Sequence, residues 1–172
     1  FINAKLIDPE AATEARGSLL IENGIITDIM PGDSNGQHDA QNIVDCGGKY
    51  LAPGIVDIGV KVCEPGERHK ESFRTAGQAA AAGGVTTMVT RPDTDPTIDN
   101  PESLEFVIRR AREAAPVHVH PMAALTKGRK GREMTEIGFL LDAGAVAFTD
   151  CDSVVTDTKV FSRALTYARS LG

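Results

Sequence analysis

The chain has 172 residues, 41% of them hydrophobic and 24% charged, the balance of an ordinary globular domain rather than of a disordered segment. Eighteen Lys and Arg against 24 Asp and Glu leave a net charge of -6 with no basic block along the chain, so nucleic-acid binding is not expected. No apolar run reaches the roughly 18 to 20 residues that span a bilayer, and no basic segment, apolar core and cleavage site open the chain, so no membrane association is expected and the location reads as cytoplasmic.

Residues 1–46 hold short apolar runs at 1–7, 18–21, 25–29 and 43–44, separated by Asp8-Pro9, Asn23-Gly24, Pro31-Gly32 and Gly47-Gly48. Asn23-Gly24 between two apolar runs is a hairpin signal, because both central residues of a type I′ turn need positive φ. A small antiparallel sheet is expected here. From Tyr50 onward, apolar strands alternate with helical stretches, the pattern of βα units on a parallel sheet. Four units are read: strand 55–60 with helix 72–82, strand 85–90 with helix 101–114, strand 117–120 with helix 135–143, and strand 145–149 with helix 159–170. Asn100, Pro101 and Glu102 form a helix start, and Leu104, Val107, Ile108 and Ala111 recur on one face. Gly83-Gly84 and Gly144 follow helices, where a left-handed cap is expected. Four units make half of a (β/α)8 barrel, in which functional groups sit at the C-terminal strand ends. Phe1 in place of Met and the stop at Gly172 directly after a helical pattern read as cut ends, and an open fourth strand would expose an edge, so further chain is expected.

The stretch 51–66, Leu-Ala-Pro-Gly-Ile-Val-Asp-Ile-Gly-Val-Lys-Val-Cys-Glu-Pro-Gly, resembles the first barrel strand of the dihydroorotase branch of the amidohydrolase superfamily. There the pattern is Pro-Gly, two hydrophobic residues, then Asp-x-His-x-His-x-Arg-x-Pro-Gly. Collinear matches follow at 81–87, at Arg91-Pro92-Asp93-Thr94 where the family has Met-Pro-Asn-Thr, at 124–128 and at 143–150. The resemblance covers nearly the whole chain. It implies an α/β fold made of a small β-sandwich segment over residues 1–50 and the first four βα units of a barrel over 51–172. It also implies zinc-dependent hydrolysis of a cyclic amide, the interconversion of carbamoyl aspartate and dihydroorotate in pyrimidine biosynthesis, with the metal polarising the carbonyl and activating water.

Residue by residue, the frame persists where the ligands do not. The two family histidines, which as i and i+2 of a strand would share one face, correspond to Gly59 and Lys61. Glycine offers no ligand atom, and an ammonium has no lone pair. The family arginine for the substrate carboxylate corresponds to Cys63, and the family asparagine to Asp93, whose charge would repel that carboxylate. Asp150 matches the family aspartate that can ligate the metals and is a candidate remnant ligand; Asp57 matches the acidic residue opening the strand-one motif. Lys61 in the vacated position would need a partner to stay charged if buried, with Asp57 and Asp150 as candidates.

His118-Val119-His120 is a literal His-x-His, but it aligns with the segment before Pro-x-x-Ala-Leu-Thr, and a packed, hydrogen-bonded role is expected. His69 and His38 are expected in exposed loop and turn. Lys127-Gly-Arg-Lys-Gly-Arg132 lacks the phosphate-loop pattern and reads as a solvated, mobile βα loop, and 66–71 as an exposed loop with weak ion pairs. Cys46, Cys63 and Cys151 are too scattered for a disulfide framework and read as free thiols. The first functional reading is a non-catalytic dihydroorotase homologue, with no cofactor of its own, that the resemblance associates with aspartate transcarbamoylase and with homo-oligomers. The alternatives are an active zinc-dependent cyclic amide hydrolase using other ligands, and a small-metabolite binding module.

Overall fold

The computed structural model describes residues 1–32 and 41–171, in two compact units, Phe1–Pro53 and Gly54–Gly172. His38, expected in a polar turn, lies outside the described residues.

The first unit is a four-stranded sheet of β1 (Ala4–Asp8), β2 (Thr13–Glu22), β3 (Ile25–Pro31) and β4 (Tyr50–Leu51), ordered β3-β2-β1-β4. β2 and β3 close through Asn23 at φ 51° and Gly24 at φ 78°, both positive as the expected turn requires. The sheet is not wholly antiparallel, because β4 runs parallel to β1, pairing Tyr50 with Lys5 and Leu51 with Leu6. Nor does the apolar pair Ile43-Val44 form a strand; its neighbour Asp45 makes an isolated parallel bridge to Ile2. Two residues lie between Ile2 and Lys5 but four between Asp45 and Tyr50, and the surplus loops out at Gly47 (φ 56°) and Gly48 (φ 77°). That irregular return along the free edge of β1 is a long-range pairing that alternation alone does not encode.

The second unit carries a parallel sheet ordered β5-β6-β7, made of β5 (Ile55–Val60), β6 (Val85–Thr90) and β7 (His118–Pro121). Its helices are α1 (Phe73–Ala82), α2 (Pro101–Ala114), α3 (Ile137–Asp142) and α4 (Thr158–Ser170). Each long helix starts on a side-chain cap: Ser72 in a capping box with Thr75, Asn100 accepting from the Ser103 N–H, and Asp157 accepting from the N–H groups of Lys159 and Val160. Leu104, Val107 and Ala111 of α2 are buried with Phe73, Ala76, Met88, Ile98 and Leu140 in the main core. Of the expected glycine caps, Gly84 (φ 81°) and Gly144 (φ 105°) have positive φ, while Gly83 does not.

Residues 145–149, expected as a fourth strand, lie along the end of β7 but make only one bridge, Ala123 to Phe148. The Val146 N–H donates to Pro121 O, and Ala123 and Ala147–Thr149 exchange two further bonds. The bridge that would extend this ladder needs an N–H on Pro121, which proline lacks. β5 is paired on one side only among the described strands, and Ile55, Val56 and Ile58 on it are exposed.

Candidate functional site

At the C-terminal end of β5 the ladder runs Asp57 to Met88 and Ile58 to Val89, then skips to Val60 opposite Thr90. Gly59 is the extra residue of this bulge and sits at φ 96°, a region that residues with a Cβ rarely adopt. A built Cβ would meet no atom within 4 Å, so what disfavours a side chain at this position is backbone conformation and not crowding. The bulge also breaks the simple alternation by which positions 57, 59 and 61 would share one face, since a one-residue slip turns every later side chain over. Val62 is accordingly buried in the core, while Lys61 reaches into the row of Arg91 and Asp93.

Lys61 therefore pairs with neither Asp57 nor Asp150. Its Nζ lies 3.1 Å from Oδ2 of Asp93, whose side chain is 3% exposed. Arg91 holds the same carboxylate in a fork, Nε to Oδ1 at 3.2 Å and Nη2 to Oδ2 at 2.9 Å, and extends Nη2 to Oδ2 of Asp152 at 2.8 Å. Burial pushes the Asp93 carboxyl up, but the hydrogen bond from Lys61 and the charge and hydrogen bonds of Arg91 outweigh it and hold it below the ordinary range. Beside them the Cys151 thiol is pushed up by burial and by the charge of Asp93, against the opposing pull of Arg91.

Asp150 is buried on different work. Oδ1 accepts from the Thr126 N–H at 2.9 Å and Oδ2 from the Thr126 hydroxyl, which in turn accepts from the Gly131 N–H at 2.8 Å. Arg129, at φ 56°, donates Nε to the Asp150 carbonyl at 3.2 Å and Nη2 to the Ser153 hydroxyl at 3.3 Å. The basic loop 127–132 is thus tied down by its own chain. Its Gly128 N–H goes to Oδ2 of Asp99 at 2.8 Å, so the backbone donors that a phosphate would use at Gly128 and Gly131 are taken by protein oxygens.

Glu64 was not singled out by the sequence pattern, yet it is the buried carboxylate that joins three elements. Oε2 accepts from the Phe73 N–H at the start of α1 at 3.0 Å, and Oε1 accepts from Arg110 Nε of α2 at 2.7 Å, with Arg68 Nε at 3.5 Å. Burial raises its carboxyl, but Arg110, the Phe73 N–H and Arg68 together bring it below the ordinary 4.5. A signal was present: Glu64 continues the alternation of Val60 and Val62 toward the core.

A zinc ion does not fit this donor set. Gly59 has no donor atom, the Lys61 ammonium has no lone pair and is held on Asp93, and both Asp150 oxygens are engaged by Thr126. Asp57 is exposed, Cys63 is half-buried and unpaired, and no group of three His, Cys, Asp or Glu side chains among the described residues is placed to hold a metal. His118 and His120 are exposed on β7 on either side of Val119, which packs on the core, so neither is the packed histidine expected. His69 is exposed, and the loop around it carries the pairs Glu67–Lys70 and Glu64–Arg68. Among the described residues no helix is long and apolar enough to cross a membrane.

The sequence pattern of the Dihydro-orotase-like family matches residues 48–172. The chain is 40% identical over 171 residues to the dihydroorotase of Sulfurihydrogenibium sp. (strain YO3AOP1), covering 99% of this chain and 40% of that protein. It is 38% identical over 170 residues to the dihydroorotase of Aquifex aeolicus (strain VF5), with coverage of 99% and 40%. The chain thus spans about two fifths of the length of these relatives. The fold is similar to that of the L-hydantoinase (dihydropyrimidinase) from Arthrobacter aurescens, with a TM-score of 0.71 and 25% identity over 86% of this chain and 31% of that one.

Proposed function

The chain belongs to the dihydroorotase-like family, and from that premise we propose that the protein is a non-catalytic dihydroorotase homologue of pyrimidine biosynthesis with a structural role in support of aspartate transcarbamoylase. The observation that carries the reading is the strand mouth: the positions matching the family's two metal-binding histidines are a bulged glycine at φ 96° and a lysine paired with Asp93. Cys63 and Asp93, which match the substrate-carboxylate positions, offer that ligand a thiol and a negative charge. The frame around them persists, with parallel strands, capped helices and a core of buried aliphatic side chains. Such a chain retains surfaces for assembly without the chemistry.

In the same reading the unit Gly54–Gly172 supplies the first four βα units of a (β/α)8 barrel and the unit Phe1–Pro53 part of a β-sandwich. The exposed apolar residues Ile55, Val56 and Ile58 on the one-sided strand β5 support closure by further strands.

The test is zinc content by elemental analysis of the full-length protein after dialysis against metal-free buffer, together with hydrolysis of dihydroorotate and co-elution with aspartate transcarbamoylase. Zinc well below one per chain, no turnover and co-elution are expected. One or two tightly held zinc ions with turnover would overturn the reading in favour of an active hydrolase with other ligands.

A further inference from the structure

The regular alternation that the bulge at Gly59 removes from the end of β5 is intact on β7. β6 and β7 pair without a break, Thr87 with His118, Met88 with Val119, Val89 with His120 and Thr90 with Pro121. Val117 and Val119 pack on the core, so His118 and His120 project together from the opposite face, and both are exposed. A parallel-strand rise of about 3.3 Å per residue sets their Cα atoms about 6.6 Å apart, close enough for two imidazoles to lean onto one ion at about 2.0 to 2.1 Å. Beside them in the register stand Thr87 and Val89, which bring no ammonium or guanidinium to repel a cation. The two histidines also line a cavity of about 640 Å³ along the free edge of β7, with Ala143 and Gly144 among its other walls, which leaves room for waters to complete a coordination sphere. His120 is one residue short of the C-terminal end of β7, the end at which a barrel opens to solvent.

We propose that His118 and His120 form a two-imidazole chelate for a borderline divalent transition ion, copper(II) ahead of nickel(II), with water in the remaining positions. Each neutral imidazole offers one nitrogen lone pair, the donor that such ions accept, and copper(II) heads the affinity order for a given nitrogen site. Two protein donors fall short of the three or four that retain zinc, so the ion exchanges and is removed by dialysis against metal-free buffer. The inference goes beyond the functional reading above and does not rest on it, because the pair lies on a different strand from the family's metal motif and asks nothing of Gly59, Lys61 or Asp150.

The experiment is a calorimetric titration of the full-length, metal-free protein with nickel chloride, native against His118→Gln and His120→Gln, with His69→Gln in the exposed loop as control. Saturable binding is expected in the native protein and in the control. Either replacement on β7 turns a chelate into a single contact and should weaken it about tenfold or more. No nickel binding by the native protein, or binding equally tight when either His118 or His120 is replaced, overturns the proposal. Should a β7 variant not fold, the native protein loaded with one equivalent of copper(II) decides: its electron paramagnetic resonance must show coupling to two imidazole nitrogens, and coupling to fewer refutes the chelate. Failure here leaves the functional reading standing, since that is read on zinc retained through dialysis and on turnover.

Discussion

Replacing Glu64 by Gln tests whether this buried carboxylate holds the start of α1 against α2. The substitution preserves shape and removes the charge. If the amide oxygen keeps the Phe73 N–H, the amide nitrogen faces the Arg110 guanidinium, donor against donor, and the contacts of 2.7 Å to Arg110 and 3.5 Å to Arg68 are lost as ion pairs. Breaking a buried pair from one side costs about 3 to 5 kcal/mol. Arg110 is 26% exposed and has Glu113 at 3.9 Å as a second partner, so the expected cost lies lower, at about 2 to 3 kcal/mol. The assay is urea denaturation followed by circular dichroism at the helix band, which reports on the unit Gly54–Gly172 because the α-helices among the described residues lie in it. A double-mutant cycle with Arg110→Met should return a coupling of about 1 to 3 kcal/mol. The pH dependence has a fixed sign: a carboxyl brought below its ordinary 4.5 stabilises the fold fully above that pH, and the contribution is lost as pH falls through the lower folded-state value. The gap between native and Glu64→Gln should therefore close on the acid side. A variant within about 0.5 kcal/mol of the native protein at neutral pH, a magnitude typical of uninvolved surface positions, refutes the argument.

Gly59→Ala should destabilise the second unit by about 1 to 3 kcal/mol through backbone strain at φ 96°, since no neighbour crowds the new methyl group; an unchanged denaturation midpoint would remove the bulge from the account. For the same reason the double replacement Gly59→His, Lys61→His should not acquire stoichiometric zinc, and elemental analysis showing one tightly bound ion per chain would contradict it. Asp150→Asn should cost about 1 to 2 kcal/mol and speed amide exchange at Thr126 and Gly131, because the Thr126 hydroxyl loses its charged acceptor; unaltered exchange at both amides would show that Asp150 does not hold this loop.

What the sequence determined by itself was local. Asn23-Gly24 specified its turn, Asn100 and Pro101 started α2 where expected, and the apolar spacing of Leu104, Val107 and Ala111 chose the buried face, because caps, turns and helical periodicity act over a few residues. The family was legible too, from collinear motifs spread over most of the chain. What only the tertiary structure decided was partnership. Asp93 rather than Asp57 or Asp150 holds Lys61, because the bulge at Gly59 shifts the end of β5 by one residue. The fourth segment pairs through a single bridge, because Pro121 meets it without a donor. Glu64 became the junction of α1 and α2, because burial left its charge dependent on an arginine 46 residues away. Ion pairs of this kind depend on register and reach summed over the whole unit, and neither quantity is carried by any short stretch of sequence.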